Sequence, residues 1–371
     1  MTAYPYLVAG LTAFAITYVS TPLVRWLALR MGIIDYPSDR KVHARPTPTL
    51  GGAALFAGIL GAGLTAYSMP DFHEVFALSS EGLGMATAGV VIFSLGAVDD
   101  LRNLPAPVKL AGQIFASGIL FLAGVKMQFV LLPDRIISLG DDVSVLVTVL
   151  WLVTMINAVN LVDGLDGLAS GIVAIAASCF FVYTFELAGE NLLGPAPAAP
   201  LAAIILVGAA LGFLRHNFHP ARIFMGDSGA MLLGLLLGAT TVVGVGKYPL
   251  QGGSPPDFFL AYFSLLIPLM VLAIPIIDTC LAVIRRARKR RSVWQADKQH
   301  IHHRLMDLGH GHRQAVIVMY VWSALAAGAG LAISLLDRSS VILALPVAVG
   351  AIVLYTLFPL LTKVFRERPV P

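Results

Sequence analysis

Long apolar stretches separated by short polar connections set the pattern of this chain. A helical window of about 20 residues crosses a hydrocarbon layer of about 30 Å, and eleven such windows are present. They run over residues 6–29, 50–69, 83–98, 107–123, 143–162, 168–187, 199–214, 230–246, 258–284, 315–336 and 341–364. The pattern predicts an all-α fold: a polytopic integral membrane bundle of about eleven transmembrane helices, packed laterally into a single domain over residues 1–371. The first window is too long for a signal-peptide core and has no small-residue cleavage site behind it, so it is expected to remain as a span. No internal repeat of fixed period is visible, which counts against the repeat-built transporter architectures. Residues 124–142, with Met127, Phe129 and Leu131 alternating, suit either a short external hairpin or an interfacial helix.

Composition excludes a soluble domain. The chain is 57% hydrophobic and 12% charged, with a mean hydropathy of +0.83. The connections at 70–82, 124–142, 188–198, 247–257 and 337–340 hold only Lys126, Arg135, Lys247 and Arg338, so 21 of the 25 basic residues fall on the other side. Lys and Arg concentrate on the cytoplasmic side of membrane proteins, which puts the N-terminus outside and the C-terminus in the cytoplasm of a plasma (inner) membrane protein. The net charge of +4 and pI near 9.1 therefore belong to the inner face and imply the bilayer as partner, with no nucleic acid. Residues 285–291, RRARKRR, read as a topology anchor attracted to anionic lipid or as a direct phosphate contact. Cys179 and Cys280 lie in apolar windows as small hydrophobes, with no disulfide framework or zinc spacing.

With this orientation the unusual polar groups all reach the cytoplasmic side, on segments 30–50, 99–109, 157–171, 215–229 and 285–313. In MINAVNLVDGLDGLASG, residues 155–171, an apolar run ends in Asn157, Asn160, Asp163 and Asp166. Their spacing of three places all four on one helix face, where they can converge on a single ligand, and Gly164, Gly167 and Gly171 permit close backbone approach. Asp99 and Asp100 close the third window, with Lys109 one turn into the next; adjacent carboxylates repel unless a cation intervenes, and oxygen-only ligands suit magnesium. Segment 217–229 adds a third carboxylate, Asp227, between Gly226 and Gly229, together with Asn217 and with Phe224, a ring that packs or stacks on a base. Lys41, His43 and Arg45 precede a Pro- and Gly-rich turn that can wrap an anion. His300, His302, His303 and Arg304 share one loop; without cysteine or an i, i+4 histidine pair, phosphate contacts fit them better than zinc.

Four of these segments, NAVNLVDGLDGLASG, GAVDDLRNL, FMGDSG and DKQHIHHRL, resemble the cytoplasmic motifs of the polyprenyl-phosphate N-acetylhexosamine-1-phosphate transferases, in family order. The HIHHR string and the eleventh window resemble the WecA/TagO group, which uses UDP-N-acetylglucosamine, more than the MraY group, which uses UDP-N-acetylmuramoyl-pentapeptide. The resemblance implies transfer of N-acetylglucosamine 1-phosphate to undecaprenyl (polyprenyl) phosphate with release of UMP, supported by Mg2+ or Mn2+. It implies Asp227 as first metal ligand, and Asp99 as second ligand or as base toward the lipid phosphate. Asp99, Asp100, Asp163 and Asp166 form the catalytic set. Lys109 is implied at the lipid phosphate, Asn217 and Phe224 at the uracil, Asp163 and Asp166 at the nucleoside end, and His300, His302, His303 and Arg304 at the sugar phosphates. A homodimer is compatible with this reading, and direct attack by the lipid phosphate is favoured over a covalent enzyme intermediate. The runner-up in the family is the pentapeptide transferase of peptidoglycan synthesis. A cation-coupled transporter would instead hold its carboxylates near the bilayer midplane, whereas these sit at the ends of spans.

Overall fold

The computed structural model describes residues 2–37, 45–132, 135–189, 193, 198–245, 305, 310–335, 346 and 349–356. The first long helix, α1 (Tyr4–Met31), starts with Pro5 in its first turn and stops at Gly32, whose left-handed φ of 70° lets its N–H reach back to the carbonyls of Ala28 and Leu29. A two-residue ribbon follows, β1 (Ile34–Asp35) antiparallel to β2 (Thr47–Pro48). Next come α2 (Gly52–Tyr67), α3 (His73–Ala77), α4 (Glu81–Arg102) and α5 (Ala106–Leu122). A hairpin of β3 (Phe129–Leu132) and β4 (Arg135–Ser138) separates these from α6 (Asp141–Val162), α7 (Leu168–Gly189), α8 (Ala198–Asn217) and α9 (Gly226–Val245). The last long described helix, α10, spans His312–Leu335.

Seven of these helices are long and apolar enough to cross a membrane, or eight if α2 and the segment Pro70–Ala77, bent from it by 92°, count as one broken span. The protein is thus a helical, multi-pass membrane protein. The expected count of eleven meets shorter helices at two windows: residues 50–69 form α2 with 16 residues, and residues 107–123 form α5 with 17 residues. Window 258–284 and most of window 341–364 lie outside the described residues. The described residues of 124–142 include the hairpin, and Met127 just before it is held to α6 by the Ser144 hydroxyl donating to the Met127 carbonyl at 2.9 Å and the Met127 N–H donating to Thr148 Oγ1 at 2.9 Å. The two ribbons are departures from a purely α chain, each too short to form a layer.

Helix α9 is the centre of the bundle, packed against α2, α4, α6, α7 and α8, with 83% of its apolar window buried. In lipid no water is squeezed out between helices, so close van der Waals contact has to hold them together. Two glycines make that contact close at the site end of α9. A Cβ on Gly96 of α4 would lie 2.4 Å from Ser228 Cα, and one on Gly52 of α2 would lie 2.3 Å from the Gly229 nitrogen. The backbone of 47–52 also pairs with the start of α9's approach: Phe224 N–H donates to the Pro48 carbonyl, and the N–H groups of Gly51 and Gly52 donate to Phe224 and Met225, all at 2.9 Å. Gly96→Ala is therefore expected to lower the thermal midpoint in detergent by several degrees. Gly63→Ala, where a Cβ meets nothing within 4 Å, should leave it in place. Equal midpoints for the two variants would contradict this packing.

Candidate functional site

The site is built on the N-terminus of α9. A helix start leaves its first N–H groups without intrahelical partners, and here a carboxylate from a neighbouring helix takes them. Asp100 Oδ1 accepts from the Asp227 N–H at 2.7 Å, and Oδ2 accepts from the Ser228 N–H at 3.2 Å and the Ser228 hydroxyl at 2.7 Å. Gly226 is required twice over: its φ is +72°, and a Cβ there would lie 2.5 Å from Asp100 Oδ2. A capping interaction is worth about 1 kcal/mol, and more when the acceptor is charged and dry. Both Asp100 oxygens thus hold α9 in place, so the expectation of Asp100 as a reacting group meets a carboxylate already engaged.

The carboxylate of Asp227 points into a charged cluster. Its Oδ1 accepts from Asn160 Nδ2 and its Oδ2 from Lys109 Nζ, each at 2.7 Å. Lys109 also pairs with Asp99, and Asp99, only 2% exposed, accepts the Leu104 N–H at 2.6 Å where α4 unwinds at Asn103. One ammonium thus bridges carboxylates from α4 and α9. Removing one member of such a set would leave a poorly solvated charge, at a cost of about 3–5 kcal/mol for a fully buried pair and less for this partly exposed one.

The four polar groups of 157–166 do not converge on one face, because α6 ends at Val162 and the helical spacing ends with it. Asn157 donates to Gln113 Oε1 at 2.8 Å and to the Val153 carbonyl at 2.7 Å. Asn160 turns to Asp227. Asp166 Oδ2 meets His219 Nδ1 at 2.7 Å and accepts the Ala221 N–H at 3.0 Å. Asp163, half-buried at the C-cap of α6, has no hydrogen-bond partner for its carboxylate among the described residues. Burial pushes the Asp163 carboxyl up to about 8, and the charges of Asp227, Asp100 and Asp166 push in the same direction. An oxygen-only group of carboxylates has the donor chemistry of a magnesium site, which Asp227 and Asp163 could supply; Asp99, the other expected ligand, is paired with Lys109.

Asn217, expected at a uracil, is 2% exposed and engaged through both its amide oxygen and its amide nitrogen. Its Oδ1 accepts from the Gly167 N–H at 3.0 Å and the Ser170 hydroxyl at 3.3 Å, and its Nδ2 donates to the Ile223 carbonyl at 3.0 Å. It clamps the turn between α6 and α7 to the loop entering α9. Phe224 is half-buried in that loop. Arg45 is exposed, while Lys41, His43, His300, His302, His303 and Arg304 lie outside the described residues. Sequence reasoning passed over Gln113, Ser228, His219, His312 and Tyr320, whose hydroxyl donates to the Gly167 carbonyl at 2.5 Å. Gln113 could have been found as the one amide inside window 107–123, and His219 by its place in NFHPARIFMGDSG. The partners of His312 and Tyr320 lie about 90 to 150 residues away, and no local signal announces them.

Asp163 supplies a pH test. Its folded value lies above that of an unfolded carboxyl, so its contribution to stability is full at low pH and is lost as pH rises through about 8. In cation-free protein an infrared carbonyl band of a protonated carboxyl should fade as pH rises through about 8, and Asp163→Asn should lack it. Magnesium should move the transition to lower pH, because a nearby cation favours the charged form. A parent protein without that band in mildly acidic buffer would contradict the assignment.

Residues 83–245, which carry α4 to α9, match the family model described as "Glycosyl transferase family 4". Over 360 residues the chain is 39% identical to decaprenyl-phosphate N-acetylglucosaminephosphotransferase of Mycolicibacterium smegmatis, covering 95% of this chain and 88% of that protein. The protein of the same name from Mycobacterium tuberculosis is 41% identical over 364 residues, covering 95% and 89%. Undecaprenyl-phosphate alpha-N-acetylglucosaminyl 1-phosphate transferase of Escherichia coli is 30% identical over 328 residues, covering 86% and 82%. With a likeness that runs nearly end to end and includes the α4, α6 and α9 segments that meet at Asp227, the chain belongs to glycosyl transferase family 4, among the polyprenyl-phosphate N-acetylglucosamine-1-phosphate transferases.

Proposed function

We propose that this protein transfers N-acetylglucosamine 1-phosphate from UDP-N-acetylglucosamine to a membrane-anchored polyprenyl phosphate such as undecaprenyl phosphate, releasing UMP, in the plasma (inner) membrane. The observation that carries this reading is the Asp227 carboxylate, presented on a capped helix tip with Lys109 and Asn160 upon it and Asp163 alongside. The names of the relatives support N-acetylglucosamine over a pentapeptide-bearing sugar. The distribution of Lys and Arg supports eleven spans with the N-terminus outside and the site at the cytoplasmic ends. There a soluble nucleotide sugar and a lipid phosphate can meet.

One phosphoanhydride is broken and another made, so the overall free energy change is small and the protein's task is positioning and charge neutralisation. Asp227 and Asp163 would hold magnesium, which when bound neutralises the diphosphate oxygens and supports the departing UMP. Asp100 fixes the backbone of Asp227, and Asn160 fixes its Oδ1, so the ligand carboxylate is set before substrate arrives. Lys109 carries the ammonium next to it; an incoming lipid phosphate replaces a carboxylate as its partner and gains a charge-assisted hydrogen bond. A phosphate monoester has its second pKa near 6, so the acceptor is largely dianionic at neutral pH and Asp99 serves mainly to hold Lys109. Direct attack needs no covalent intermediate on an aspartate.

The reading is tested by UMP release from detergent-solubilised protein supplied with UDP-N-acetylglucosamine, polyprenyl phosphate and magnesium. Turnover should stop in chelator, fall by roughly three powers of ten or more in Asp227→Asn, and be negligible with UDP-N-acetylmuramoyl-pentapeptide. Full turnover in chelator, an Asp227→Asn enzyme within about threefold of the parent, or preference for the pentapeptide donor would overturn it.

A further inference from the structure

Where α1, the end of α8, the loop after it and the start of α10 meet, the bundle leaves a cavity of about 790 Å3, lined by Phe14, Tyr18, Leu211, Arg215, Arg222 and Arg313 among others. That volume is within the range of about 300–1,000 Å3 usual for ligand sites. The lining includes His219 but none of Asp99, Lys109, Asn160, Asp163, Asp166 or Asp227. An adjoining smaller cleft shares His216 and Arg222 with it and adds Arg25. The two ends of the cavity differ in chemistry. Arg25, Arg215, Arg222 and Arg313 collect at the end of the bundle where α8 gives way to α9, and none of them has a carboxylate partner among the described residues. The Arg25 Nε–H donates to the Arg222 carbonyl at 2.9 Å and the Arg313 Nε–H to the His219 carbonyl at 3.0 Å, so each of these guanidinium groups is anchored by one nitrogen. From there a ladder of rings leads along α1. His216 Nε2–H donates to the Tyr18 carbonyl at 3.1 Å, its ring lies 4.9 Å from that of Tyr18, and Tyr18 stacks on Phe14 at 5.9 Å. Phe14 precedes Arg25 on α1 by about 16 Å of helix rise.

Clustered cations repel one another until an anion joins them, and an apolar wall running on from the cations is best covered by hydrocarbon. A free phosphate would satisfy only the first demand. We propose that the cavity binds an anionic phospholipid of the bilayer, with its phosphodiester at Arg215, Arg222 and Arg313 and the start of an acyl chain along Phe14, Tyr18 and Leu211. Basic pockets between membrane helices recognise such headgroups, and the planar fork of arginine matches phosphate oxygens. The lipid bridges α1 and α10 to the loop that enters α9, and so steadies the segment that presents Asp227. It is not the reacting lipid, whose phosphate has to reach Lys109 and Asp227. The site needs the helical bundle and does not depend on the proposed reaction.

Full-length protein stripped of lipid in detergent is titrated with phosphatidylglycerol or with phosphatidylcholine, and retained lipid is counted by native mass spectrometry. One phosphatidylglycerol should be retained at concentrations where phosphatidylcholine is not. Replacing Arg215→Gln and Arg222→Gln together should weaken that retention by roughly 10-fold or more. The Arg222 carbonyl and N–H keep their contacts in this variant, so in lipid-free detergent it should melt like the parent. Leu211→Trp, which keeps every charge and fills the cavity, should also weaken retention. Arg30→Gln, which removes an exposed cation stacked on Trp26 at 4.0 Å and outside the cavity, should not. Equal retention of the two lipids by the parent would overturn the site. So would retention unchanged in the arginine variant or in Leu211→Trp, retention weakened as much by Arg30→Gln, or displacement of phosphatidylglycerol by equimolar polyprenyl phosphate or inorganic phosphate.

Discussion

The arrangement depends on one contact, the grip of the Asp100 carboxylate on the first N–H groups of α9. Helix N-termini attract negative charge because the backbone dipoles and unsatisfied N–H groups point outward there. Asp227 alone at that position would sit among free donors and could turn its own carboxylate back onto them. Asp100 occupies those donors, so the Asp227 side chain faces away from its own helix, toward Lys109 and Asn160. Adjacent carboxylates in an apolar bundle therefore divide the work. One completes the helix, and its neighbour Asp99 holds the ammonium.

Small residues let this happen at the ends of the apolar helices. α9 can be central only because Gly52 and Gly96 allow neighbouring backbones to within van der Waals contact of Ser228 and Gly229. The same closeness excludes water from the base of the cluster, where every electrostatic interaction gains strength. Asn217 then locks the turn carrying Asp163 and Asp166 to the loop leading into α9, so the carboxylates arrive from three different segments on a shared frame.

Much of this could be read along the chain. Hydropathy located the described long helices within a few residues, and Asp99, Lys109, Asn160 and Asp227, named from their positions at span ends, do meet in space. What failed was the extrapolation of helical periodicity through Asp163 and Asp166: the glycines of the DGLDG segment end the helix, and spacing has no meaning beyond that point. A group's chemistry was legible in the sequence where its partner was not. The resemblance put Asp100 in the catalytic set and Asn217 at the uracil. Both are engaged by backbone groups that come near only in the folded bundle.

Asp100 orders the helix, and we propose that Asp227 and Asp163 receive a divalent cation. An experimental structure of the full-length protein with manganese, located by its anomalous scattering, tests this most directly. A peak is expected in contact with Asp227 and Asp163, with Asp100 still accepting from the Asp227 and Ser228 N–H groups. A peak on Asp100, with those backbone contacts released, would contradict it.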